Sequence, residues 1–199
     1  MVNILIKETD VLFSYGLKYF LKSLFSQNFN EDIYFINEYT PDNISIADII
    51  ILSLRPGERY TCFPELWLRR RGVIIGIVNE AESAERSPTC FADIVYVSRR
   101  SSLADMNTTI SLLWRDWLAS PHFMQFTDCL SCKCRQMSTK QFQIVTQYYE
   151  GKSVNEIAID MGLNYKTVFR HKYQVMNKYN LHSDIELLTF LNVLAQKTT

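Results

Sequence analysis

Three cysteines crowd together as Cys129, Cys132 and Cys134, a C-x-x-C-x-C run. Thiolates at that spacing can ligate zinc or an iron cluster, or exchange disulfides. A metal centre needs further ligands, and only Cys62, Cys90 and distant histidines remain. Ordinary reduced thiols in a linker are therefore the expectation, with a metal- or redox-responsive cluster as the alternative. The odd number of cysteines also argues against a secreted disulfide framework, so all five thiols are expected to be reduced. No serine-histidine-acid set, phosphate-cradling glycine loop or suitably spaced pair of acids occurs, so neither catalysis nor a cofactor is expected.

A second group of residues has a different chemistry. Lys166, Phe169, Arg170, Tyr173, Gln174 and Asn177 fall on one side of a helical projection, and Val168, His171, Val175 and Met176 fall on the other. Arg, Lys, Gln and Asn are the side chains that donate to purine edges in a DNA major groove. Phe169 and Tyr173 have little reason to face water, whereas thymine methyls and sugars would give them an apolar partner. The other possibility is that Phe169 packs on the preceding domain. His171, on the inward face, reads as a core histidine rather than a base.

The elements that must position this row are legible around it. Ser138 with Gln141, Ser153 with Glu156 and Ser183 with Glu186 have capping-box spacing, and Asn164 is a fourth cap candidate. They predict helices over 138–149, 153–161, 164–179 and 183–195. Between the second and third, Ala158 allows close approach and Gly162 supplies a sharp turn. Ile157, Met161, Leu163 and Val168 supply the apolar contacts. This is the layout of a helix-turn-helix, although a plain helical hairpin obeys the same packing rules.

Upstream, Val2–Ile6, Ile33–Ile36, Ala47–Leu54, Val73–Val78 and Ile94–Val97 are rich in β-branched residues, and several are nearly continuous apolar runs. Such runs suit strands of a parallel sheet covered on both faces. Leu12–Phe25, Phe63–Arg71 and Leu103–Leu118 are long enough for helices. The alternation predicts an α/β doubly wound domain over 1–118, a linker over 119–136, and a small all-α four-helix domain over 137–199. Trp114 and Trp117 pack on the sheet or anchor an interface, with packing preferred.

A chain of 199 residues suits two such domains. No apolar run approaches the roughly 18 residues that span a bilayer, and the opening MVNILIKETD lacks the pattern of a secretory leader, so a cytoplasmic protein without membrane contact is expected. Net charge is zero, which argues against non-specific coating of nucleic acid. From Lys133 to Thr199, however, nine Lys and Arg face five acids. The helical part is thus mildly basic.

Met137-Ser138, Ile144-Val145, Gly151, Ser153, Glu156-Ile157-Ala158, Met161-Gly162-Leu163, Lys166-Thr167-Val168, His171, Lys178, Leu181 and Ser183 stand at fixed offsets. Together they resemble the LuxR/FixJ, or NarL-type, DNA-binding domain, without a gap from Met137 to about Leu188. The resemblance implies a bacterial transcription regulator that binds double-stranded DNA through the third helix. It implies pairing, as a homodimer or with a related regulator, along the fourth helix, where Leu187, Leu191 and Leu194 form a stripe; the same stripe could instead close the core. Phe169, Arg170 and Tyr173 would lie nearest the bases, and Lys166 and Thr167 would hold the backbone. Gln174, Asn177, Lys152 and Lys178 complete the candidate DNA-binding set. Lys140-Gln141 replaces the usual Arg-Glu and Phe169 the usual lysine, so an unusual preferred sequence is expected.

In such regulators the preceding domain is often a phosphoacceptor receiver. The resemblance places its acidic pair on Glu8 and Thr9, with Asp10 adjacent, its acceptor on Ser53, and its lysine on Ser98, with Arg99 next in line. A serine hydroxyl is a poorer nucleophile than aspartate and is uncharged at neutral pH, so control without phosphorylation is expected. By analogy with relatives whose receivers are similarly eroded, fimbrial or capsule genes are the expected targets. A module that modulates another regulator is the competing expectation.

Overall fold

The computed structural model describes residues 1–79, 93–121 and 136–197. Contacts divide the chain into two compact units, one of Met1–Leu54 with Cys62–Cys132 and one of Arg55–Thr61 with Lys133–Thr199.

The first unit is built on a five-stranded sheet, β1 (Val2–Lys7), β2 (Ile33–Ile36), β3 (Ile49–Ser53), β4 (Val73–Val78) and β5 (Ile94–Ser98), in the order β2-β1-β3-β4-β5. Every pairing is parallel. The β-branched runs account for this, since strands buried on both faces cannot alternate apolar with polar, and β4 is buried at every residue. Val2, Ile4, Ile49, Ile51, Ile75 and Ile77 meet α1 (Val11–Phe29) and α3 (Leu103–Ala119), whose Leu21, Phe25, Ile110 and Trp114 fill the same core. Trp114 packs there and Trp117 is half-buried against it, in keeping with the packing reading.

Two features differ from expectation. A six-residue helix, α2 (Pro41–Ile46), starts at the Thr40 cap with Pro41 in the first turn. The helix expected over Phe63–Arg71 is only a 3-10 turn, Pro64–Leu68. Its continuation is cut off as Arg69 turns to pair with Asp93, and Gly72 follows at φ 85° with Asp48 O where a Cβ would stand.

The second unit holds α4 (Thr139–Tyr149), α5 (Val154–Asp160), α6 (Tyr165–Lys178) and α7 (Asp184–Lys197). The boxes at Ser138 and Ser153 are reciprocal. At the fourth helix Ser183 accepts from Glu186 N at 3.1 Å, but the Glu186 carboxylate reaches one residue further back, to His182 N at 2.7 Å. Val145, Val175, Met176, Tyr179, Leu187 and Phe190 form its main core, which Tyr60 also joins.

Candidate nucleic-acid interface

The turn between α5 and α6 is closed by its own backbone. Leu163 N donates to Ala158 O at 2.8 Å while Gly162 sits at φ 61°. No atom lies within 4 Å of where a Gly162 Cβ would stand, so the glycine is needed for its backbone conformation and not for space. Asn164 then caps α6 by accepting from Lys166 N at 2.9 Å. Ile157, Ala158 and Val168 pack with Ile144 into a small core of their own, edged by Met161 and Leu163. That core fixes the angle at which α6 leaves the turn.

Lys166, Phe169, Arg170, Tyr173, Gln174 and Asn177 are all exposed, and Tyr165 joins them. Thr167 is half-buried. The Phe169 and Tyr173 rings stack, with centroids 6.1 Å apart and planes 19° from parallel. The helix carries Lys166, Arg170, Lys172 and Lys178 and no acid. Lys178 is held by the Gln136 carbonyl. Lys152 is engaged inside the domain, 2.7 Å from Asp160 and 3.1 Å from Gln147 Oε1, and the Asp160 hydrogen bond raises its pKa above the ordinary lysine value.

The inward face departs from the sequence reading at one residue. Lys172 is buried with Val168, Val175 and Met176, whereas His171 is half-buried with Nδ1 lacking a partner. The Lys172 ammonium reaches Asp184 Oδ1 at 2.7 Å, and Tyr148 OH donates to Asp184 Oδ2 at 2.9 Å. The same ammonium lies 4.5 Å from the Tyr148 ring centroid. One buried lysine thereby ties α6 to α4 and to the first turn of α7. Helical spacing from Val168 to Met176 contained this signal, but a charged residue reads as solvent-facing.

On α7 the Leu187, Leu191 and Leu194 stripe closes the domain's own core: Leu187 and Leu191 are buried there, and Leu194 packs half-buried against them. The outward apolar residues are Ile185, 76% exposed, and Leu188, 38% exposed.

In the first unit, Glu8, Asp10, Ser53 and Arg99 converge at the carboxyl ends of the strands. Ser53 Oγ donates to Glu8 Oε2 at 2.6 Å. Arg99 bridges the two acids, reaching Glu8 Oε2 at 3.0 Å and Asp10 Oδ2 at 2.9 Å, and its guanidinium covers the Phe13 ring at 3.8 Å. The Glu8 side chain is only 2% exposed. Asp10 also caps α1. Thr9 is exposed, and Ser98, buried, accepts from Arg100 N at 3.1 Å.

Cys129, Cys132 and Cys134 lie outside the described residues, among which no cluster able to hold a metal ion occurs. Cys62 is disulfide-bonded, which corrects the expectation of reduced thiols at that position. No described helix is long and apolar enough to cross a membrane.

Residues 135–191 match the bacterial regulatory proteins of the luxR family. The response regulator UvrY of Escherichia coli K12 is 37% identical over 51 residues, which are 26% of this chain and 23% of UvrY. The chain thus aligns with about a quarter of that curated relative. Among solved structures, RcsB of Salmonella enterica serovar Typhimurium bound to the promoter P1flhDC superposes with a TM-score of 0.60 at 20% identity, over 96% of this chain and 97% of that one. An RcsB–DNA complex gives 0.56 at 19% identity, over 96% and 98%. These likenesses establish the fold, a receiver-like parallel α/β domain followed by a luxR-type helix-turn-helix domain.

Proposed function

We propose that this chain is a cytoplasmic, sequence-specific DNA-binding transcription regulator that acts as a dimer and without phosphorylation. It is not an enzyme. The observation that carries the DNA reading is the outer face of α6, an acid-free helix that leaves a capped turn with Lys166, Arg170, Gln174 and Asn177 exposed side by side. Such a face complements a phosphate backbone and offers donors to base edges. Fluorescence anisotropy with the purified protein and a pool of genomic duplexes tests it. Binding that weakens steeply with salt, and Arg170→Ala costing about 1 to 3 kcal/mol at an enriched site, are expected. A module that modulates another regulator would bind duplex weakly or only in a mixed complex with that regulator.

Independence from phosphorylation rests on the strand-end pocket. A receiver needs a divalent cation between its acids and a carboxylate acceptor. Here the Arg99 guanidinium already lies on Glu8 and Asp10, and the acceptor position is a hydroxyl donating to Glu8. These residues do not fit a magnesium ion.

Pairing is assigned to the outward face of α7, through Ile185 and Leu188 in place of the core leucines. A partner there is a second copy or a related regulator. Fimbrial or capsule genes are the proposed targets by analogy, and genome-wide mapping of bound sites tests that assignment.

A further inference from the structure

The outer face of α6 presents more apolar surface than a solvated helix needs. Tyr165, Phe169 and Tyr173 are spaced four apart and each is 53% exposed. Residues at that spacing lie on one side of a helix. Phe169 and Tyr173 stack with each other. The Lys172 ammonium, fixed by Asp184, stands 5.9 Å from the Phe169 ring centroid.

We infer that Tyr165, Phe169 and Tyr173 form an aromatic ladder that reads thymine 5-methyl groups in the major groove. This rests on the DNA-binding reading and adds the class of sequence recognised. Lys166 and Arg170 flank the rings and no acid lies on the helix, so the occupant of this face is a polyanion. Within the major groove floor of a polyanionic duplex, the thymine methyl is the apolar group on offer. Tyr165 and Tyr173 are eight residue steps apart, about 12 Å along the helix axis. At about 3.4 Å per base step, the ladder covers some three to four base pairs. The preferred half-site accordingly contains a short run of A·T pairs beneath α6, with Arg170, Gln174 and Asn177 reading the positions beside it.

The test compares duplexes that differ only in the methyl group. The full-length protein is used to select from a random duplex pool, and the winning sequence is then made with thymine or with deoxyuridine. Burial of one methyl corresponds to about fourfold in affinity, so two or three contacted methyls should make the thymine duplex at least tenfold tighter. Phe169→Ala should lose about one methyl contact, roughly a fourfold reduction of the thymine preference, while keeping its salt dependence. Phe169→Leu, which keeps an apolar side chain, should retain the preference for thymine and guards against a folding defect. Selected sites that bind equally with thymine and with deoxyuridine would overturn the ladder while leaving the DNA reading intact. Failure to enrich any duplex would overturn both.

Discussion

The Arg99 guanidinium lies 3.0 Å from Glu8 Oε2 and joins a carboxylate at the end of β1 to the segment that follows β5. The Glu8 side chain is almost fully buried, and Arg99, the Ser53 hydroxyl and the Asp10 amide satisfy its oxygens. Removing one member of a buried pair leaves the other uncompensated, which costs more than the pair itself contributes. Arg99 is 28% exposed, and solvent moderates the loss. Arg99→Ala should destabilise the first unit by about 1 to 3 kcal/mol, read from chemical denaturation. The unmodified protein, mixed with magnesium and acetyl phosphate, should gain no acid-labile phosphate by mass spectrometry. A stable phosphoryl adduct would end the proposal of phosphorylation-independent control.

The contact between Lys172 and Asp184 predicts an asymmetry. Lys172→Met keeps the long apolar stem and leaves Asp184, which is half exposed, to water. That change should cost less than about 1.5 kcal/mol. Asp184→Ala instead strands an ammonium whose side chain is 7% exposed, and should cost about 1 to 3 kcal/mol. Thermal melts of the two variants decide the order.

Acid should reveal the same pair. The Lys172 hydrogen bond holds the Asp184 carboxyl below its ordinary value of 3.8, with a smaller contribution from Tyr148. A carboxyl depressed in the folded state adds stability that is present above its unfolded pKa and is lost as pH falls through the folded value. Wild-type stability should therefore decline below about pH 4, and Asp184→Asn should flatten that part of the acid limb. An unchanged acid limb would show that the contact adds nothing to stability.

Gly162 at φ 61° has open space around it, so its replacement isolates backbone strain. Gly162→Ala should cost about 1 kcal/mol and Gly162→Asn less, because asparagine tolerates the left-handed region. Asn30 and Asn180 already occupy that region in this chain, both at φ 53°. Equal destabilisation by the two substitutions would mean that something other than backbone conformation is at stake.

Much of this architecture is legible in the residues because local and global preferences agree. Strands that are buried on both faces need unbroken apolar runs, and β3 and β4 have them. Reciprocal caps at Ser138 and Ser153 mark helix starts without reference to the rest of the fold. What escaped is either too short to show a period or depends on partners distant in sequence. Six residues of α2 are too few to show a helical period. Lys172 looks like a surface lysine until Asp184 and Tyr148 are brought to it. Arg99 stands one residue past the position that receiver resemblance singles out, and its role needs β1 and β5 on the same sheet. For α7, leucine spacing alone does not distinguish a core stripe from an interface.

Burial separates the two uses of α7. Leu187 is fully buried and Leu191 nearly so, whereas Ile185 and Leu188 face outward on the same helix. Ile185→Asp combined with Leu188→Asp should leave the melting temperature of the protein close to wild type, since neither side chain is removed from the core. A carboxylate at both positions would place like charges against each other in a symmetric contact. Binding to a duplex with two half-sites should then lose cooperativity, while binding to a single half-site stays near wild type. Leu187→Asp, in contrast, should unfold the helical domain. Mobility-shift assays on one-site and two-site duplexes, alongside melts, separate these effects. Undiminished cooperativity in the double variant would move the pairing surface off α7.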